Sequence, residues 1–249
     1  MAIINTNAIY VLWLREVKKF VRVKSRLIGS LMMPLFFLIF LGFGLNAMSI
    51  PGAPGGINYI SFLAPGIIGM AILFSAVFSG VTVIMDRQFG FLKEIMVAPV
   101  SRVSIVLGRV AGGTTVSLIQ GILIMIITML IGLEVVGVLS ILLAVVFMIL
   151  ISITFISLGL ALASKLKDTQ GFGLIVNFVV FPLFFLSGAL FPLNNLPDAI
   201  KYIAYADPLT YGVDGLRGAL IGFSLFPIYI DFFVLLGFSA AMIFLSTYF

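Results

Sequence analysis

The chain has 249 residues and contains neither cysteine nor histidine. The first absence excludes a disulfide framework and a thiol nucleophile. The two together exclude the usual zinc and haem ligands, and the second removes any imidazole base. Charge is also scarce: Asp, Glu, Lys and Arg make up 9% of residues, against about 25% in a soluble domain. No G-x-x-x-x-G-K-[ST] loop occurs, so the chain does not cradle nucleotide phosphates itself. Gly112-Gly113-Thr114-Thr115 lacks the lysine and lies inside an apolar run, where it suits close helix packing.

What is present is apolar. Hydrophobic residues account for 62% of the chain, and the mean hydropathy is +1.31. A water-soluble fold of this size needs far more polar surface, so the solvent for most of the chain is lipid. Apolar runs at 27–45, 59–85, 103–132, 138–163, 171–190 and 228–249 are each long enough to cross a hydrocarbon core as a helix. None alternates in polarity as a barrel strand would. The expected fold is therefore an all-α integral membrane protein with six transmembrane helices. Residues 1–249 are expected to form a single transmembrane domain, with no linker or low-complexity tract dividing it.

The basic residues set the orientation. Arg15, Lys18, Lys19, Arg22, Lys24 and Arg26 precede the first run; Arg87, Lys93, Arg102 and Arg109 flank the second loop; Lys165 and Lys167 follow the fourth run. Of the 14 Lys and Arg residues, only Lys201 and Arg217 fall on the other side. Both termini are expected to be cytoplasmic. The N-terminal stretch does not read as a cleavable signal peptide, because its basic part is too long and no small-residue cleavage site follows.

Residues 8–26 read as an amphipathic helix. Tyr10, Trp13, Leu14, Val17 and Val21 share one face, and Arg15, Lys18, Lys19, Arg22 and Arg26 form a separate stripe. Such a helix suits the cytoplasmic interface, with Trp13 at headgroup depth. It serves either as a topology anchor alone or as a brace for a soluble partner. The segment 86–102 is too polar to span and too apolar for a free loop. Phe91, Leu92, Ile95 and Met96 fall on one helical face, Gly90 permits a turn, and Pro99 stops the helix. It reads as a short helix across the ends of two spans, which either seals the bundle or takes force from a motor. Between the fifth and sixth runs, helices at about 197–205 and 210–222 read as either an interfacial cap or a re-entrant pair. There Asp214 and Arg217, at i and i+3, are placed to pair.

Three stretches resemble a known family. Asp86-Arg87 followed by Gly90, Leu92, Pro99, Ser101 and Arg102 is similar to the loop signature of ABC-2 type permeases, the membrane subunits of a class of ATP-binding cassette exporters. The run Phe185-Leu186-Ser187-Gly188-Ala189-Leu190-Phe191-Pro192-Leu193-Asn194-Asn195-Leu196-Pro197 resembles the family's fifth-span exit. Asp207-Pro208-Leu209-Thr210-Tyr211-Gly212-Val213-Asp214-Gly215-Leu216-Arg217 resembles its following outer motif. Gln88 and Asp207 depart from the family pattern, which more often has an acidic residue and Asn there. The drug and lipo-oligosaccharide exporter permeases are the most similar subgroup.

The resemblance implies a half-transporter of the cell membrane. Two copies, or this chain with a related permease subunit, would form the pore among membrane lipids. A separate ABC ATPase subunit would hold the ATP and Mg, with no cofactor, metal or nucleic acid bound by this chain. It further implies that Arg87, Gly90, Lys93, Glu94, Pro99, Ser101 and Arg102 couple to that ATPase. An outer gate would be formed by Ser187, Gly188, Phe191, Pro192, Leu196, Pro197, Asp207, Pro208, Tyr211, Asp214 and Arg217. The cargo would be amphipathic: a drug, lipid or glycolipid.

An ion-coupled secondary carrier or channel is the alternative. Such carriers place acids or bases at mid-membrane, whereas the span centres here hold Ser75, Ser79, Thr115, Gln120, Thr154, Ser157 and Asn177. An intramembrane enzyme lacks a mid-membrane lysine for a serine–lysine dyad and any convergent acid pair.

The charge partition yields a topology that labelling can check. On this cysteine-free background, Asn195→Cys is expected to react with an impermeant maleimide in intact cells and Lys93→Cys only after permeabilisation. The reverse pattern overturns the orientation.

Overall fold

The computed structural model describes residues 4–45, 57–90, 100–166, 168–195 and 197–249, without the side chains at 24, 26 and 195. Among the described residues it is all-helical, with no strand. The helices are α1 (Thr6–Arg22), α2 (Lys24–Gly44), α3 (Tyr59–Ser79), α4 (Val81–Gln88), α5 (Arg102–Ile131), α6 (Val138–Lys165), α7 (Thr169–Ile175), α8 (Phe181–Leu186), α9 (Asp198–Tyr205), α10 (Pro208–Ile221) and α11 (Ile228–Tyr248). Among the described residues, six segments are long and apolar enough to cross a membrane: Leu27–Gly44, Tyr59–Gln88, Arg102–Ile131, Val138–Lys165, Thr169–Leu186 and Ile228–Tyr248.

Helix α3 is the axis of the bundle. Leu63, Ile67, Ile68, Met70, Ile72 and Leu73 are fully buried, and α2, α5, α6 and α10 all pack on it. Lipid gives helices no hydrophobic drive to associate, so close backbone approach through small residues takes its place. A Cβ at Gly66 would overlap the Ala189 backbone, and one at Gly80 would overlap the Gly159 carbonyl. Hydroxyls and an amide add pairs across the same seams: Ser117 Oγ donates to Ser75 Oγ at 3.2 Å, Gln120 Nε2 donates to Ser30 Oγ at 2.8 Å, and Thr154 and Ser239 share a bond of 2.7 Å.

Several elements differ from the sequence expectation. The N-terminal helix ends at Arg22 rather than residue 26, because Val23 leaves helical geometry (φ −106°, ψ 79°) and the next helix starts at Lys24. The second span continues through Asp86 and Arg87 to Gln88, so these residues close a helix instead of opening a loop. The fifth span is not one α-helix. Pro182 has no N–H to give the preceding turn and its ring crowds the carbonyl four residues back. The chain widens into a π turn over Val176–Val180, closed by Phe181 N–H on Val176 O, before α8 resumes. This leaves Asn177 and Phe178 exposed in mid-span.

Of the two outer helices, only α10 enters the bundle. Leu209, Val213, Leu216 and Leu220 are fully buried against α3, α6 and α11, whereas Ile203 on α9 is exposed. Helix α10 is punctuated at both ends. The Asp207 carboxylate accepts the Leu209 N–H, Pro208 sits at the first turn, and Gly222 stops the helix in the left-handed region (φ 69°).

Gly66→Ala is expected to lower stability in detergent by about 1–3 kcal/mol, the usual cost of overpacking, because it meets backbone that cannot rotate away. Gly29 faces open space, and Gly29→Ala is expected to be neutral or to gain up to about 1 kcal/mol in helix propensity. Thermal unfolding of both purified variants checks the contrast.

Candidate functional site

The basic end of the bundle is built around α1. Its N-cap, Asn5, accepts the Ala8 N–H and donates its own N–H to Ser104 Oγ at 2.9 Å. Ser104 belongs to the first turn of α5, which Ser101 caps by accepting the Ser104 N–H at 3.2 Å. The starts of the two helices are thereby tied. Gly108 and Gly112 on α5 let Leu12 and Glu16 approach so closely that no Cβ would fit between. Trp13 directs its indole N–H to Thr115 Oγ1 at 2.9 Å. The face seated on α5 is therefore Ile9, Leu12, Trp13 and Glu16, while Tyr10 and Val21, from the apolar face read in the sequence, are exposed.

A buried ion cluster locks this contact. Arg15 on α1 reaches both oxygens of Asp86 on α4, Nη1 to Oδ2 at 2.9 Å and Nη2 to Oδ1 at 2.7 Å. Arg109 on α5 donates Nη2 to Oδ2 of the same carboxylate at 2.7 Å. Glu16 lies 3.5 Å from Arg15 and 3.9 Å from Arg109. The fork geometry and charge make these strong bonds. The hydrogen bond to Asp86 raises the pKa of Arg15 above its ordinary value, outweighing the opposite pull of burial. Arg87, next along α4, caps the end of α6 by donating to Ser164 O at 3.2 Å and Leu166 O at 3.1 Å.

Of the remaining N-terminal basic residues, Lys18, Lys19 and Arg22 share with Arg15 a groove of about 520 Å³ along α1. The Arg26 side chain lies outside the described residues. So do Lys93, Glu94, Pro99 and the whole apolar face of the 86–102 helix. Gly90 turns the chain with a φ of 79°, Ser101 is buried, and Arg102 is exposed.

At the other end, Ser187, Gly188, Pro192, Asp214 and Arg217 come together around a cavity of about 240 Å³. The expected Asp214–Arg217 pair is replaced by backbone partners. Arg217 donates to Gly188 O at 3.0 Å and Phe62 O at 3.4 Å and lies 3.8 Å from the Phe62 ring centre. Asp214 accepts the N–H groups of Leu225 and Phe226. Both charges are buried, and backbone carbonyls and amides satisfy them. Tyr211 donates to Tyr205 O at 2.8 Å, holding α9 to α10. Burial pushes the Asp207 carboxyl up to about 7. Phe191 is exposed, Pro197 opens α9, and Leu196 lies outside the described residues.

Sequence reasoning missed the joint role of Asp86, Arg109 and Glu16. A signal was present: an acid and an arginine inside apolar helices must find partners. The G-x-x-x-G spacing of Gly108 and Gly112, common by chance in so glycine-rich a chain, marks the seat of α1.

The ABC-2 type transporter family matches residues 7–221, which takes in both ends just described. Nodulation protein J of Rhizobium leguminosarum bv. trifolii is 31% identical over 200 residues, covering 80% of this chain and 75% of its own. The inner membrane transport permease YadH of Escherichia coli K12 is 28% identical over 234 residues, covering 92% of this chain and 89% of its own. The chain thus belongs to the ABC-2 type transporter family and is a multi-pass membrane subunit of an ABC transporter.

Proposed function

We propose that two copies of this chain, or one with a related subunit, form the pathway of a cell-membrane exporter driven by a separate ABC ATPase at the basic end. The observation that carries this reading is the Arg15–Asp86–Arg109 cluster. It joins α1 to α4 and α5 beside the 87–102 segment, so a push on that end moves three elements as one rigid piece. The groove of Arg15, Lys18, Lys19 and Arg22 offers an acidic motor surface a second contact. Arg87, Gly90, Lys93, Glu94, Pro99, Ser101 and Arg102 make up the coupling segment in this reading.

The dimeric pathway is supported by the fifth span. Its π turn exposes Asn177 beside Phe178, and an amide facing lipid at that depth is unfavourable. A partner copy or an amphipathic cargo such as a drug, lipid or glycolipid gives it a neighbour. Ser187, Gly188, Asp214 and Arg217, with α9 and α10, act as the outer gate, opening when the span ahead of them shifts. The name of the Escherichia coli relative supports an inner-membrane location.

One observation favours ion coupling as a second reading. Asp231 in the sixth span is fully buried, and neither carboxylate oxygen has a partner among the described residues. Asp231→Asn separates the readings: ATP-driven transport persists under the first, and gradient-driven transport is lost under the second.

Two outcomes follow from the coupling scheme. Glu94→Lys with Arg102→Glu is expected to preserve membrane insertion while releasing the ATPase or uncoupling its hydrolysis from transport in proteoliposomes. Wild-type coupling in that variant would reduce the segment to a passive loop. Asp86→Ala is expected to cost about 3–5 kcal/mol, because it strands a buried arginine, and Asp86→Leu with Arg109→Leu to recover most of that loss. Thermal unfolding of the purified variants reads both.

A further inference from the structure

The geometry points to a binding site for a phosphate-bearing anion, of the kind an acidic phospholipid headgroup presents, between α4, α5, α6 and α11 at the basic end. A cavity of about 250 Å³ opens there, separate from the α1 groove. Arg87, Arg102 and Arg109 line it, and its other walls are largely apolar, including Val106, Leu160 and Phe249.

The charges are unbalanced. Among the described residues Asp86 and Glu16 pair with Arg15 and Arg109 alone, Arg15 already takes both oxygens of Asp86, and Arg87 is bonded to the Ser164 and Leu166 carbonyls. Arg109 has one bond to Asp86 and a distant approach to Glu16. Its Nε is buried without a partner among the described residues. A cation this buried, sharing one carboxylate with a second arginine, gains from a further anion in the cavity that it lines. Arg102 has no acid within ion-pair distance among the described residues, and the Lys165 ammonium lies 3.7 Å from the centre of the Phe249 ring, one of the cavity's walls. The neighbouring hydroxyls are committed: Ser164 donates to Ala161 O, and Ser246 and Thr247 both donate to Ile243 O. Recognition therefore falls to the guanidinium groups, whose forks suit phosphate oxygens.

The walls favour the lipid source of that phosphate. A free ion would gain nothing from Val106, Leu160 and Phe249, whereas the glycerol and upper acyl carbons of a phospholipid would lie against them. Basic pockets between membrane helices are suited to acidic headgroups.

The test uses the full-length permease in neutral detergent, without the ATPase, so it does not depend on the transport reading. Native mass spectrometry and thermal unfolding are recorded with phosphatidylglycerol, phosphatidylcholine and inorganic phosphate. The expected result is retention of phosphatidylglycerol and a raised melting temperature, with little effect of phosphatidylcholine. Arg102→Gln, an exposed position, is expected to melt like wild type without lipid and to bind phosphatidylglycerol about tenfold more weakly, the scale of one charged hydrogen bond. Val106→Phe fills the cavity while keeping every charge and is expected to weaken binding similarly. Lys201→Gln, at the opposite end, serves as the control. Inorganic phosphate that displaces the lipid and protects the wild type equally well would keep the anion site and assign it to free phosphate. Binding of both ligands unchanged in Arg102→Gln and in Val106→Phe would overturn the site.

Discussion

One carboxylate holds the basic end together. Asp86 sits at the close of the second span with a guanidinium on each side, Arg15 from α1 and Arg109 from α5. In surroundings this apolar, an unpaired charge is costly, so each of the three groups requires the other two. Their shared geometry fixes α1 against the bundle more firmly than an interfacial helix held by lipid alone. The glycines of α5 permit the approach, the paired caps at Asn5 and Ser101 set its register, and the ions lock it.

The opposite end solves a similar problem with different partners. Arg217 and Asp214 lie one turn apart, yet each is satisfied by backbone: carbonyls at Gly188 and Phe62, amides at Leu225 and Phe226. Two buried charges thereby pin four chain segments where the fifth span exits, the second begins and α10 turns toward α11. Between these charged ends the helices meet through glycine contacts and single hydroxyl pairs. The mechanical character of the molecule is therefore uneven, with specific electrostatic joints at both ends of a smooth apolar middle.

Much of this was legible in the sequence because membrane spans are set by length and hydropathy, which are local properties. All six spans appear within a few residues of their expected bounds. What the pattern could not show was partnership. The i, i+3 spacing of Asp214 and Arg217 suggested a pair, but the tertiary fold brings the Gly188 and Phe62 carbonyls to the guanidinium instead. The apolar stripe through Tyr10 and Val21 suggested a helix lying in the interface, and these two side chains are exposed; what the stripe did not show is the second face of α1, which Gly108 and Gly112 on α5 seat. Pro182 was visible, yet its consequence, a π turn that exposes Asn177, depends on how the preceding carbonyls are satisfied. The family resemblance named the outer residues that line one cavity, Ser187, Gly188, Pro192, Asp214 and Arg217, without indicating their contacts.

The central claim is that α1, α4 and α5 move as one piece under the ATPase. Spin labels at Val11→Cys and Val103→Cys, both exposed positions on α1 and α5, report it directly by pulsed electron resonance in the permease–ATPase assembly. The account predicts one distance distribution, unchanged between nucleotide-free and ATP-trapped states. A distribution that shifts with nucleotide while Asp86 is intact would contradict it.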